Sequence, residues 1–182
     1  MIFIKRMVLV ITVCVLLIPC LGYSEVLECP NFTGYVYDYA NVISASDEIL
    51  INAYAEAADS IGAGQVIVVA VNSLCGMTAA DYSLELFNSW GIGRANVNDG
   101  LLILLAPNER SVRLCTGSGI DMQVTDEDCG TLIEEFALQK LANNEFSAGM
   151  VSLTKAACLK LVFERSLLFD DKEMIKAVVS GI

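Results

Sequence analysis

Residues 98–119, NDGLLILLAPNERSVRLCTGSG, decide how this chain folds. Positions 101–106 are apolar without a break, which suits a strand covered on both faces of a sheet. Pro107, Asn108, Glu109 and Arg110 make a turn, and positions 112–116 return as an antiparallel partner strand. In such a hairpin the start of the first strand lies beside the end of the second. Asp99 and the loop 117–121 are therefore expected at one sheet edge, and Arg110 at the opposite one. No arginine is expected beside Asp99.

Working upstream, positions 65–71 form a second run that is apolar and β-branched, another central strand. Between the two runs, Thr78 with Asp81 opens a helix whose inner face is Ala79, Tyr82, Leu86, Phe87 and Trp90. Strand, helix and strand in that order imply a right-handed parallel crossover, so the chain reads as an α/β layered fold with a mixed sheet. Further upstream, 34–38 is extended. Ser44, three residues before Asp47, caps a helix carrying Ile49, Leu50, Ala53, Tyr54, Ala57 and Ile61, which Gly62 and Gly64 stop. Downstream, Thr125 with Asp128 opens a helix with Leu132, Ile133 and Phe136 on one face. Helical spacing recurs over 147–163 at Met150, Val151, Thr154, Cys158 and Leu161, and again over 171–179.

Lys5 and Arg6 precede an apolar run over 7–18, too short for a bilayer span but suited to the core of a signal peptide. Pro19 then breaks any helix, and the small residues Gly22 and Ser24 offer cleavage after either. The expected organisation is a signal over 1–22, one domain over 30–165 and a C-terminal helix over 166–182, with export out of the cytoplasm. An N-terminal anchor is the alternative. Cutting at Gly22 leaves 9 basic residues against 22 acidic ones, and the formal charge moves from −11 to −13. Such a chain cannot neutralise phosphates, which excludes a general nucleic-acid binder.

The chain contains no histidine, so a histidine-based serine nucleophile is excluded. Cys129 and Cys158 fall on apolar helix faces and read as small buried hydrophobes. The pairing of Cys29, Cys75, Cys115, Cys129 and Cys158 stays open. Cys115 opens a loop resembling a phosphate-binding cysteine loop, but Asp121 stands where that chemistry needs an arginine. What the hairpin does gather is oxygen: Asp99, Asp121, Asp126 and a glycine-rich backbone, a set suited to calcium or magnesium. Asp99, held by the strand, is expected to be the strongest ligand of the set. No catalytic residue is identified.

Several stretches together resemble the TPM domain family. They are residues 33–40 (TGYVYDYA), 64–69 (GQVIVV), 90–93 (WGIG), 98–102 (NDGLL), 109–113 (ERSVR), and 116–119 (TGSG) through Thr125 and Asp126. Positions 146–150 resemble its closing motif. The resemblance implies a three-layer α/β/α sandwich with a mixed, mostly parallel central sheet, and an extracytoplasmic location. It also implies a divalent-cation site in some members, weak acid phosphatase activity in thylakoid-lumen relatives, and accessory roles beside membrane complexes in others. On the family's pattern Asp38, Asp99 and Asp126 stand at acidic positions, with Asp121 in place of a glutamate. The membrane helix and glycine-rich tail that end many bacterial members are missing, so no C-terminal membrane span is expected. The functional expectation is thus a cation-binding accessory protein with an envelope or membrane-protein partner, the alternative being a metal-assisted phosphatase.

Overall fold

The computed structural model describes Leu27 and residues 33–169. The signal over 1–22, Cys29 and the helix expected over 171–179 lie outside the described residues. Along the chain come β1 (Val36–Asp38), α1 (Ala45–Ser60), β2 (Gln65–Ala70), α2 (Ala79–Trp90), β3 (Gly100–Ala106), β4 (Ser111–Thr116), α3 (Asp126–Phe136), α4 (Leu138–Ala142) and α5 (Phe146–Phe169).

The four strands form one sheet in the order β1-β2-β3-β4. The first three are parallel and β4 runs antiparallel to β3, with Leu101 opposite Thr116 and Ala106 opposite Ser111. The sheet is thus mixed and mostly parallel, with helices on both faces. Alternation along the central strands divides the core in two. Val66, Val68, Ala70, Leu101, Ile103 and Leu105 pack with α1, α3 and α5. Ile67, Val69, Leu102, Leu104 and Ala106 pack under α2, around Tyr82, Leu86 and Trp90. Both sides being covered explains why β2 and β3 carry no polar positions beyond Gln65.

The caps read from the sequence form. Ser44 Oγ accepts from Asp47 N at 3.2 Å, Thr78 Oγ1 from Asp81 N at 3.1 Å, and Thr125 with Asp128 makes a reciprocal capping box. The inner face of α1 differs from expectation. Ile51, Ala55 and Ala58 are buried, whereas Ile49 is 70% exposed and Leu50 43%. The small Ala55 and Ala58 let α1 lie close to α5, and that approach outweighs the pull of the larger Ile49. The short α4 was not anticipated. Ser166 is buried within α5, so the boundary expected at 165/166 falls inside one continuous helix. By length and composition Phe146–Leu168 could cross a bilayer, at mean hydropathy 1.4, but 44% of its most apolar 18-residue window is buried, and Met150, Leu153, Ala157 and Leu161 lie wholly inside the core.

Candidate functional site

The edge where β3 begins is built by three loops. Gly91, with φ 61°, ends α2 in a left-handed turn, and Asn96 and Asn98 also take positive φ, at 69° and 54°. Gly93 N donates to Gln65 Oε1 at 2.6 Å, tying this loop to the start of β2. Gly119 N donates to Asn98 O at 2.9 Å, and Gly117 N to Gly100 O at 2.8 Å. A Cβ at Gly119 would collide with the Val97 carbonyl oxygen, so the two loops can close only over glycine.

Asp99 sits at the centre, 3% exposed. Its Oδ1 accepts from Arg94 N at 2.9 Å and its Oδ2 from Arg94 Nε at 2.7 Å, with Arg94 Nη2 on the same oxygen. Arg94 Nη2 also donates to Gly62 O at 2.9 Å, and Arg165 Nη1 donates to that oxygen at 2.7 Å. Burial works to raise the Asp99 pKa, but the hydrogen bonds and charge of Arg94 outweigh it and hold the carboxyl below its usual value. Arg94 is raised in turn, chiefly by its bond to Asp99. A cavity of about 190 Å³ opens over the pair, lined among others by Val97, Ile120, Gln123, Arg165 and Leu168. A neighbouring hollow of about 420 Å³ runs past Asp121, Met122, Glu164 and Leu167.

The hairpin argument thus places Asp99 and the 117–121 loop together, and Arg110 at the far edge, as expected. The four aspartates do not converge. Asp38 pairs in register with Ala70, which pairs with Leu105, so it stands at the opposite edge from Asp99. There it accepts from Ala40 N at 3.1 Å and Ile43 N at 2.7 Å, stabilising the turn into α1. Asp121 and Asp126 are exposed. Asp126 begins α3, close enough to Cys115 to act on its pKa. Among the described residues no three of His, Cys, Asp and Glu are grouped as ligands for one ion. Both Asp99 oxygens already receive Arg94, so the donor set does not fit a resident cation as the sequence suggested.

The residues that sequence reasoning missed are Arg94, Gln65 and Arg165. Arg94 follows the glycine pair by one residue and precedes Asp99 by five, a spacing that could have flagged a loop-closing ion pair. Arg165 lies 103 residues from its partner Gly62 and left no local signal. Burial pushes the Cys115 thiol up, Cys129 to about 11 and Cys158 to about 12, which favours the protonated thiol at these three positions.

The family model of the TPM domain matches residues 36–158. This chain belongs to the TPM domain family. The matched span runs from β1 into α5 and includes the whole sheet and the Asp99 edge. Among solved structures, the TPM fold here resembles the N-terminal domain of a protein from P. gingivalis at 26% identity and TM-score 0.68, covering 75% of this chain and 92% of that one. An N-terminal domain from Corynebacterium glutamicum is 23% identical with TM-score 0.57, over 74% of this chain and 85% of that one. The BA42 protein of the psychrophile Bizionia argentinensis is 18% identical with TM-score 0.58, over 69% and 86%. These last two are likenesses of fold alone. No curated protein matches the chain.

Proposed function

We propose that this chain is an exported accessory domain of the cell envelope that binds a protein partner through the groove at the Asp99 edge. The observation that carries this reading is the state of the groove's charges. Arg94 and Asp99 neutralise each other, and both guanidiniums are drawn onto Gly62 O beside apolar Val97, Ile120 and Leu168. A rigid, internally paired rim beside apolar surface suits docking better than turnover. In this reading α5 serves the core and is no C-terminal membrane span, and the envelope is reached through the signal over 1–22. Calcium or magnesium acts as an exchangeable, millimolar ligand of the exposed Asp121 and Asp126, in the range of weak extracellular sites. Site-specific photo-crosslinking in the expressing cell tests the reading. A photoreactive residue at Met122 should give a discrete adduct that one at Leu84, exposed on α2, does not. Equal labelling from both positions, or none from either, refutes it.

A second reading, a weak metal-assisted phosphatase, gains support from Arg94 and Arg165, guanidiniums that could face a phosphoryl group in a chain otherwise repelling anions. It requires aryl phosphate turnover that falls in both Asp99→Asn and Arg165→Gln. Unchanged rates in both would assign any turnover to contamination.

A further inference from the structure

At the end of the sheet far from Asp99, a cavity of about 180 Å³ lies between the β3–β4 turn, α4 and the start of α5. Leu105, Val112, Leu138, Leu141 and Phe146 make its walls apolar, and Arg110 and Ser111 supply its polar side. Gly149 gives Leu141 its seat: a Cβ there would come within 2.8 Å of Leu141 Cδ2, so α4 lies down on α5 and closes one wall. An apolar cavity of about 150 Å³ takes a benzene-sized ligand, so this one has room for a small apolar body.

The turn is built so that one cation is left over. Asn108 Nδ2 donates to Asn72 O at 2.6 Å, and Glu109 Oε1 accepts from Leu74 N at 3.0 Å, which ties the turn to the loop after β2. Arg110 N donates to Pro107 O at 3.1 Å, and its φ of 51° lies in the left-handed region, where glycine or asparagine is the ordinary residue. An arginine kept where glycine would be less strained points to a use for its side chain. Among the described residues its guanidinium pairs with no carboxylate, whereas Arg94 is held by Asp99 and Lys160 by Asp128 and Glu164. The long helix α5 also begins on the cavity wall, at Phe146, which brings the positive end of its dipole there. Its neighbour α4 ends nearby but has 5 residues, and the carbonyls of Gln139, Lys140 and Leu141 are taken by the N–H groups of Asn143, Asn144 and Glu145.

We infer that this cavity binds a small monocarboxylate with an apolar body of about six to eight carbon atoms, its carboxylate on Arg110 and its body between α4 and the hairpin. A planar guanidinium meets a carboxylate in a two-point contact. A single negative charge suits a chain of formal charge −11 better than a phosphate ester does. A free aliphatic acid and the C-terminal residue of a polypeptide offer the same chemistry. The site is separate from the Asp99 groove and does not rest on the partner-binding reading.

Methyl NMR titration of the protein as purified from the expressing cell tests the inference, with hexanoate, acetate and 1-hexanol as probes. Hexanoate should shift the Leu105, Val112, Leu138 and Leu141 methyls saturably at about millimolar concentration, as expected for a ligand of this size. Acetate lacks the body and 1-hexanol the charge, and each should bind about tenfold more weakly or worse. Arg110→Gly, which suits the positive φ of the turn, should melt no lower than wild type yet lose about tenfold in hexanoate affinity while 1-hexanol is unaffected. That pattern separates a lost charge clamp from a collapsed cavity, and Arg110→Gln should repeat it. A blocked tetrapeptide ending in a free leucine carboxylate distinguishes the sources: tighter binding than hexanoate assigns the site to a chain terminus, and weaker binding to a free acid. Three outcomes overturn the inference: no saturable shift of these methyls, equal binding of hexanoate and 1-hexanol, or unchanged hexanoate affinity in both Arg110 variants.

Discussion

Replacing Asp99 by Asn keeps the shape of the side chain and removes its charge. The Arg94 N–H can still donate to the amide oxygen, but the amide nitrogen then faces Arg94 Nε and Nη2, donor against donor. Charge-assisted hydrogen bonds of this kind contribute about 1.5–3 kcal/mol. Truncating a fully buried ion pair costs about 3–5 kcal/mol because the orphaned charge stays buried. Here Arg94 is 43% exposed at its side chain and can swing into water, whereas Asp99 is 4% exposed. The cost should therefore sit near the lower figure, about 2 kcal/mol, a fall of roughly 6–8 °C in melting temperature for a domain of this size. The pH dependence has a definite sign. A carboxyl whose folded pKa is depressed contributes stability that is complete above its unfolded pKa, about 3.9, and is lost as pH falls through the lower folded value. The gap between wild type and Asp99→Asn should be full at pH 7 and close on acidification below about pH 4. Thermal melts followed by circular dichroism at pH 7 and down to pH 3 measure both quantities. A difference within about 0.5 kcal/mol at pH 7, as for an ordinary exposed pair, would refute the assignment of Asp99 as the residue closing this edge.

Two further outcomes follow from the same structure. Iodoacetamide at pH 8 should label the exposed Cys75 rapidly, but Cys129 and Cys158 only after unfolding, since burial holds them protonated at about 11 and about 12; peptide mass spectrometry reads the difference, and equal labelling would show that the helical layer opens readily. Burial, then the bond of its hydroxyl to Asp59 Oδ2 at 2.9 Å, raises Tyr35 to about 12. Its contribution is complete below about pH 10 and is lost between there and about 12, so urea melts over that interval should fall less steeply for Tyr35→Phe than for wild type, with Tyr82, Lys160 and the buried thiols Cys115, Cys129 and Cys158 supplying the remaining slope.

The parts of the fold that were legible in the sequence are those whose signals are local. Unbroken apolar runs marked β2 and β3 as covered on both faces, the turn at 107–110 set the hairpin, and Ser44, Thr78 and Thr125 each announced a helix. The face of α1 was misjudged because an alanine-rich helix is apolar nearly all round, and the close approach of α5 decides which stripe is buried. Asp38 was placed with Asp99 through a family pattern; the parallel pairing of β1 with β2 carries the end of β1 to the other edge. At the site itself, the glycine-rich loop and Asp99 were visible, yet the partner of Asp99 was not. An arginine in an irregular loop has no periodicity to betray where it points, and Arg165 arrives from a helix far along the chain.

Calorimetric titration of calcium into wild type and Asp99→Asn tests most directly whether Asp99 serves an ion pair or an ion. If Arg94 owns the carboxylate, both proteins should show the same weak heat, with a dissociation constant near millimolar, while Asp121→Asn and Asp126→Asn reduce it. Binding in the micromolar range that disappears in Asp99→Asn alone would contradict this account and place a cation, displacing Arg94, at the centre of the edge.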